Sequence, residues 1–143
     1  MQTGDATLTN LGRIARGALA LPEIQVLDGA TSIPDGTGAV NLGTTPVGTP
    51  IDKTFTVSNT GTADLTLTEP ISVPSGFSVA SSFASPTVAA GNSTTFTVRL
   101  DAVAVGTYTG TLQFANNDAD ENPFNFTISG STDHNVYLPL VMK

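Results

Sequence analysis

The chain has 143 residues, a length that fits one domain with a hydrophobic core of its own. Hydrophobic residues make up 39% of the chain and charged residues 12%, a balance that favours half-buried β-strands over disorder. A formal charge of -7 leaves no basic surface for nucleic acid, and the absence of cysteine excludes disulfides and thiolate metal sites.

Residues 1–21 form a leader before the first regular pattern. Apolar residues recur there at helical spacing, at Leu8, Leu11, Ala15 and Leu19. Gly12 and Gly17 would each cost such a helix about 1 kcal/mol relative to alanine, so a short helix and an extended arm fit equally well. No apolar run approaches the roughly 20 residues of a membrane span, so we expect none.

From Pro22 onward, apolar and polar residues alternate with the period of two that is typical of strands with one wet face. Seven runs show this alternation: 23–27, 51–58, 63–68, 77–79, 95–100, 108–114 and 124–129. Turn-forming residues separate the runs, as at Asp35-Gly36, Asn59-Thr60-Gly61 and Gly91-Asn92-Ser93. The pattern predicts an all-β fold of seven to eight strands, paired antiparallel in two packed sheets.

Three segments carry a family resemblance: TFTVSNTGTADLTL at 54–67, AAGNSTTFTV at 89–98 and NNDADENPFNFTISG at 116–130. Together they resemble the choice-of-anchor D and Hydin-like (ASH) immunoglobulin-like domains of bacterial surface and secreted proteins. The resemblance covers residues 22–131 and implies an immunoglobulin-like antiparallel β-sandwich there. The chain departs from the family pattern in standing as a single copy and in having an N-terminal extension at 1–21 and an apolar C-terminal tail at 132–143. It carries no catalytic residue over to this chain, so we expect no enzyme.

One polar segment is a candidate metal site. Residues 116–122 hold three amides and three carboxylates, and a hard cation such as calcium needs several oxygen ligands from a short loop. Asp118, Asp120 and Glu121 are the predicted ligands. The alternative is a polar hairpin turn, because Asn and Asp tolerate left-handed backbone and cap their own turns. We expect no cofactor apart from this calcium.

The segment HNVYLPLVMK at 134–143 would be apolar on both faces if extended. In one interpretation it is an edge strand or a strap across its own domain, and Pro139 suits an edge because it donates no ladder hydrogen bond. In the other it adds to a sheet edge of a neighbouring subunit. The subunit contacts would then be Val136, Tyr137, Leu138, Leu140 and Val141.

These observations lead to two hypotheses about function. The first is a non-enzymatic extracellular structural or assembly module that self-associates through strand exchange by a terminal segment, and forms a filament if the contacts run head to tail. Its partners would be further copies or other surface proteins. The second is a ligand- or polysaccharide-binding accessory or adhesion module. Sugar-binding surfaces usually need exposed aromatic rings, and this chain has no Trp and only Tyr108 and Tyr137.

The predicted location is extracellular or on the cell surface. The first ten residues lack the basic and then apolar layout of a signal peptide. Either the protein is cytosolic or an export signal has been removed, and we expect the second because the family that the chain resembles occurs in exported proteins.

Overall fold

The computed structural model describes residues 19–134. Two predictions fall outside this range: the helix or arm of the leader before Leu19, and the subunit contacts at Val136, Tyr137, Leu138, Leu140 and Val141. The described residues form two packed β-sheets, which confirms the all-β prediction. Among them no helix is long and apolar enough to cross a membrane.

Ten strands follow one another along residues 19–134, with a 3₁₀ helix, Ala119–Glu121, before the last. Their bounds are β1 Ile24–Asp28, β2 Thr31–Ile33, β3 Ala39–Pro46, β4 Ile51–Asn59, β5 Leu65–Ser72, β6 Phe77–Ser81, β7 Thr87–Val88, β8 Ser93–Leu100, β9 Gly106–Asn116 and β10 Phe124–Asp133. The alternation predicted seven of them. It missed β2 and β7, which are too short to show a period, and β3, in which Gly43 adopts a positive φ and interrupts the alternation.

The first sheet has the strand order β2-β1-β4-β8-β6, and the second has the order β3-β10-β9-β5-β7. Neighbouring strands are antiparallel, as predicted, except that β3 and β10 run parallel within the described residues. The parallel pair arises because the chain crosses from the first sheet to the second between β2 and β3. This crossing brings β3 beside β10 in the same direction.

The core lies between the two sheets and is built around phenylalanine. Phe55 and Phe96 stack across β4 and β8 with ring centroids 5.2 Å apart, and both side chains are buried. Phe96 also contacts Phe114 of the opposite sheet edge to face, with centroids 5.8 Å apart. Such aromatic pairs contribute about 0.5–1.5 kcal/mol each beyond the area that they bury. The rings therefore join the two sheets without a disulfide.

The first described strand begins at one end of the sandwich and the last described strand ends at the other. The end at which β1 begins is called the upper end. There the backbone of Ile24 contacts the turn between β9 and β10. At the lower end, Asp133 at the end of β10 accepts a backbone hydrogen bond from Val47, just after β3. The nine residues of β4 run from the lower to the upper end and span roughly 30 Å.

Candidate functional site: an acidic cluster at the upper end

The turn between β9 and β10 is closed by its own polar side chains. Asp118 caps the 3₁₀ helix Ala119–Glu121, because its Oδ1 accepts a hydrogen bond from the N–H of Asp120 at 3.2 Å. Asn116 accepts from the N–H of Asp118 at 2.7 Å and donates to the carbonyl of Glu121 at 2.8 Å. These bonds fix where the carboxylates of the turn point.

Asp118 also binds the first strand of the domain. Its Oδ2 accepts a hydrogen bond from the N–H of Ile24 at 3.0 Å, and the side chain is buried, with 4% of its surface exposed. This bond connects the start of β1 to a turn that is far away in sequence. The carboxylate is thus a structural link between the two sheets at the upper end.

Three carboxylates meet here. One carboxylate oxygen from each of Glu23, Asp118 and Glu121 lies within 4.8 Å of the other two. The structure therefore brings together two of the predicted calcium ligands, Asp118 and Glu121. Asp120 is not a member of this group of three, although its charge is near enough to raise the pKa of Glu23.

Glu23 is the member of the cluster that sequence reasoning missed. It lies directly before β1, and the pairing of Ile24 with Asp118 carries it to the β9–β10 turn. The only feature of the sequence that marks Glu23 is that it is the polar residue with which the first alternating run, 23–27, begins. Partial desolvation is the main cause that raises its pKa, followed by the charges of Asp118 and Asp120.

Glu121 is the most perturbed acid of the cluster. Burial, followed by a hydrogen bond to Asp118 and by the charge of Asp118, raises the pKa of Glu121 to about 7. Its Oε1 is buried and has no hydrogen-bond donor among residues 19–134, because its carboxylate neighbours are themselves acceptors. A proton on Glu121 would turn its carboxyl into a hydrogen-bond donor toward the carboxylate of Asp118.

The chemistry of this arrangement allows two ways of relieving the repulsion. Glu121 can hold a proton and share it with Asp118, or a cation can bind the three carboxylates together. Calcium takes six to eight oxygens, so three carboxylates would provide part of its shell. Calcium binding stays a prediction, and the structure adds Glu23 to the residues that could take part.

A cleft of about 280 Å³ opens beside the cluster. Glu23, Asp35 and Glu121 line it together with the apolar side chains of Ile33 and Phe124. The charge of Asp35 contributes to the raised pKa of Glu121. The lining of the cleft is therefore acidic and suits a cation better than an anion.

The family of the domain follows from its sequence. A family model described as HYDIN/CFA65/VesB-like, Ig-like domain matches residues 37–131. The chain belongs to this family. The Hydin-like (ASH) resemblance and the immunoglobulin-like fold are thereby confirmed for the HYDIN-type domain described here. Domains of this family are generally non-catalytic, although some form part of enzymes. No curated protein matches the chain.

Solved structures share the fold at low sequence identity. A protein of unknown function from Porphyromonas gingivalis W83 aligns with a TM-score of 0.60 and 13% identity, over 80% of this chain and 50% of its own. PapD-like domain 7 of human CEP192 aligns with a TM-score of 0.55 and 13% identity, over 79% of this chain and 87% of its own. The VesB protease of Vibrio cholerae aligns with a TM-score of 0.51 and 22% identity, over 86% of this chain and 34% of its own.

The HYDIN-type domain thus spans half of the first of these proteins and about a third of VesB. At these identities the likeness shows the fold alone.

Proposed function

We propose that this HYDIN-type domain is a non-enzymatic structural module of an exported protein and that it joins copies end to end. The observation that carries the proposal is that β1 begins at the upper end with Ile24 and β10 ends at the lower end with Asp133. Residues 135–143 therefore start at the end of the sandwich that lies farthest from Leu19.

The position of the two ends determines the kind of assembly. When the segment that follows the lower end of one copy binds the upper end of the next, the two surfaces in contact are different. Such a heterologous contact does not close on itself unless the rotation between copies completes a ring, and it otherwise produces a filament. The segment would add to a sheet edge of the next copy, where main-chain hydrogen bonds supply affinity.

The upper end offers apolar surface to such a neighbour. Leu19 and Leu21 are 59% and 56% exposed. Leu21 is held in place, since its carbonyl accepts hydrogen bonds from the N–H groups of Thr62 and Ala63 at 2.8 and 3.2 Å. Burial of the apolar tail residues would contribute roughly 6–10 kcal/mol before the costs of association are subtracted.

Light scattering tests this proposal. The full chain should show a mass that rises with concentration beyond one copy, and Tyr137→Asp with Val141→Asp should return it to one copy. The matched control adds the same charges on exposed positions of β9, Thr109→Asp with Thr111→Asp, and should still associate. A full chain that stays monomeric at millimolar concentration contradicts the proposal.

We infer a second candidate function, an accessory module that binds a ligand or polysaccharide for a larger protein. The observation that favours it is that VesB protease carries this fold in about a third of its chain. Tyr108 is unsuited to sugar stacking, because its hydroxyl donates to the carbonyl of Ala104 at 2.6 Å and its ring packs on Gly76. Glycan-array binding that disappears in Tyr137→Ala would support this candidate, and a blank array would exclude it.

A further inference from the structure

The connection between β8 and β9 presents an apolar surface at the lower end. We call residues 101–105 the Val103 loop. Val103 is 80% exposed and Val105 is 49% exposed, and only Leu19 and Leu21 share this property among the large hydrophobic side chains of residues 19–134. The two leucines lie at the opposite end of the sandwich.

The Val103 loop is held in one conformation by three other segments. The N–H of Asp101 donates to the carbonyl of Gly76 at 3.0 Å, and the hydroxyl of Tyr108 donates to the carbonyl of Ala104 at 2.6 Å. The N–H of Gly48 donates to the carbonyl of Ala102 at 2.9 Å. The two exposed valines are therefore fixed in place and are not the tips of a loose loop.

The backbone at Ala102 is strained. Its φ is +56°, in the left-handed region that residues with a Cβ rarely adopt, and its side chain is buried. Strain of this kind persists when the surroundings enforce it. Here it turns Val103 outward while Ala102 stays in the core.

The last described strand, β10, ends beside this loop. Val47 donates its N–H to the carbonyl of Asp133, and the next residue, Gly48, donates its N–H to the carbonyl of Ala102, both at 2.9 Å. Adjacent amides thus bind the end of β10 and the Val103 loop. Val136 follows Asp133 by three residues, and three extended residues reach about 10 Å.

We propose that residues 136–140 of the same chain pack on the Val103 loop through one face and leave the other face for the neighbouring copy. In an extended segment Val136, Leu138 and Leu140 share a face, which would cover Val103 and Val105. Tyr137 and Val141 would face outward. This division explains why both faces of the segment are apolar, and it rests on the proposed function because it assigns the outer face to a second copy.

Proximity favours the contact within one chain. A segment tethered three residues from its binding surface experiences an effective concentration in the millimolar range or above, which exceeds the concentration of other copies in dilute solution. The segment would therefore be seated on its own domain before a second copy arrives. The fixed loop then lowers the conformational cost of presenting the outer face.

Disulfide trapping tests this inference, since the full chain has no cysteine of its own. In dilute solution Val103→Cys with Leu138→Cys should oxidise completely to a disulfide within one chain, with no free thiol by mass spectrometry and monomer mobility on a non-reducing gel. The matched control, Val103→Cys with Tyr137→Cys, places the second thiol on the opposite face and should keep both thiols free.

Free thiols in the first variant overturn the inference, as do equal yields in the two variants or disulfides that form only between chains. Light scattering on the reduced samples reports association separately. If the disulfide forms but the reduced chain never associates, the contact with the Val103 loop is supported and the proposed function is wrong. If the chain associates but the disulfide does not form, the proposed function is supported and the contact with the Val103 loop is wrong.

Discussion

The carboxylate of Asp118 accepts a hydrogen bond from the backbone of Ile24 at 3.0 Å and so fastens the first strand to the last hairpin. The same carboxylate caps its own turn through the N–H of Asp120. Two backbone donors therefore depend on one buried side chain. Glu23 and Glu121 lie close together because Asp118 binds the residue after Glu23 and also caps the turn that contains Glu121.

Removal of Asp118 should destabilise the domain. Asp118→Ala leaves the N–H of Ile24 without its acceptor and removes the cap, so we expect the free energy of unfolding to fall by about 1–3 kcal/mol. Urea unfolding at pH 5 measures the effect under conditions where Glu121 is protonated. Asp64→Ala, at an exposed acid, is the control and should change the free energy by less than about 0.5 kcal/mol. Equal effects of the two substitutions would contradict the structural role of Asp118.

Stability should fall as the pH rises toward neutrality. The pKa of Glu121 is about 7 in the folded protein, above the ordinary value of 4.5, so the folded state retains a proton that the unfolded state has lost. The contribution of Glu121 is complete below about pH 4.5 and is lost progressively as the pH passes through 7. Glu121→Gln should flatten the dependence between pH 5 and 8, measured by thermal unfolding. An unchanged pH profile in this variant, with Asp64→Asn as reference, would show that the carboxyl of Glu121 has no raised pKa.

Calcium should stabilise the domain most where Glu121 is ionised. We expect the melting temperature to rise on addition of calcium at pH 8 and less at pH 6, and a concentration of 100 times Kd corresponds to about 2.7 kcal/mol. Glu23→Gln and Glu121→Gln should each abolish the rise. Asp120→Asn distinguishes the ligands predicted from the sequence, which include Asp120, from the cluster in the structure, which does not. It should reduce the rise in melting temperature only if Asp120 is a ligand. No change of melting temperature at millimolar calcium would end the metal hypothesis.

Substitution of Phe96, at the centre of the phenylalanine core, should lower the free energy of unfolding strongly. Phe96 packs against Phe55, Phe83 and Phe114 with ring centroids 5.2, 5.6 and 5.8 Å away. Phe96→Ala should lower the free energy of unfolding by about 3–5 kcal/mol, because the cavity borders both sheets. Phe96→Leu should cost less than about 1.5 kcal/mol. A cost for Phe96→Ala near that of the leucine variant would show that the core can collapse around the missing ring.

Two glycines with similar backbone angles offer a test of the Val103 loop. Gly76 and Gly91 have φ values of +93° and +83°, so alanine strains the backbone at both. A Cβ at Gly91 would meet open space, whereas a Cβ at Gly76 would clash with Cδ1 of Tyr108. Gly91→Ala should cost about 1 kcal/mol and Gly76→Ala about 2–3 kcal/mol in urea unfolding. Equal costs would mean that Tyr108 moves freely and does not hold the loop.

The sequence predicted those parts of the fold in which each second residue is apolar. In β4, β8 and β10 the alternation places phenylalanine inward at Phe55, Phe96 and Phe126, and these strands were found within a few residues of their bounds. In β3 the positive φ of Gly43 breaks the period, so the strand was not recognised. Its parallel pairing with β10 depends on a crossover between sheets that no local pattern encodes.

The candidate site was predicted only where it is local in sequence. Asp118 and Glu121 lie in one turn, and their density of oxygens was visible there. Glu23 reaches the cluster through the pairing of the first strand with the last turn, a contact between distant parts of the chain. The raised pKa of Glu121 could not be predicted either, because it is caused first by burial, which depends on the assembled sandwich.

Negative-stain electron microscopy of the full chain tests the end-to-end assembly most directly. We predict fibres one domain wide with an axial repeat of roughly 30–40 Å, the length of one sandwich and its contact, and their loss in Tyr137→Asp with Val141→Asp. Discrete particles the size of a single domain at every concentration would contradict the account.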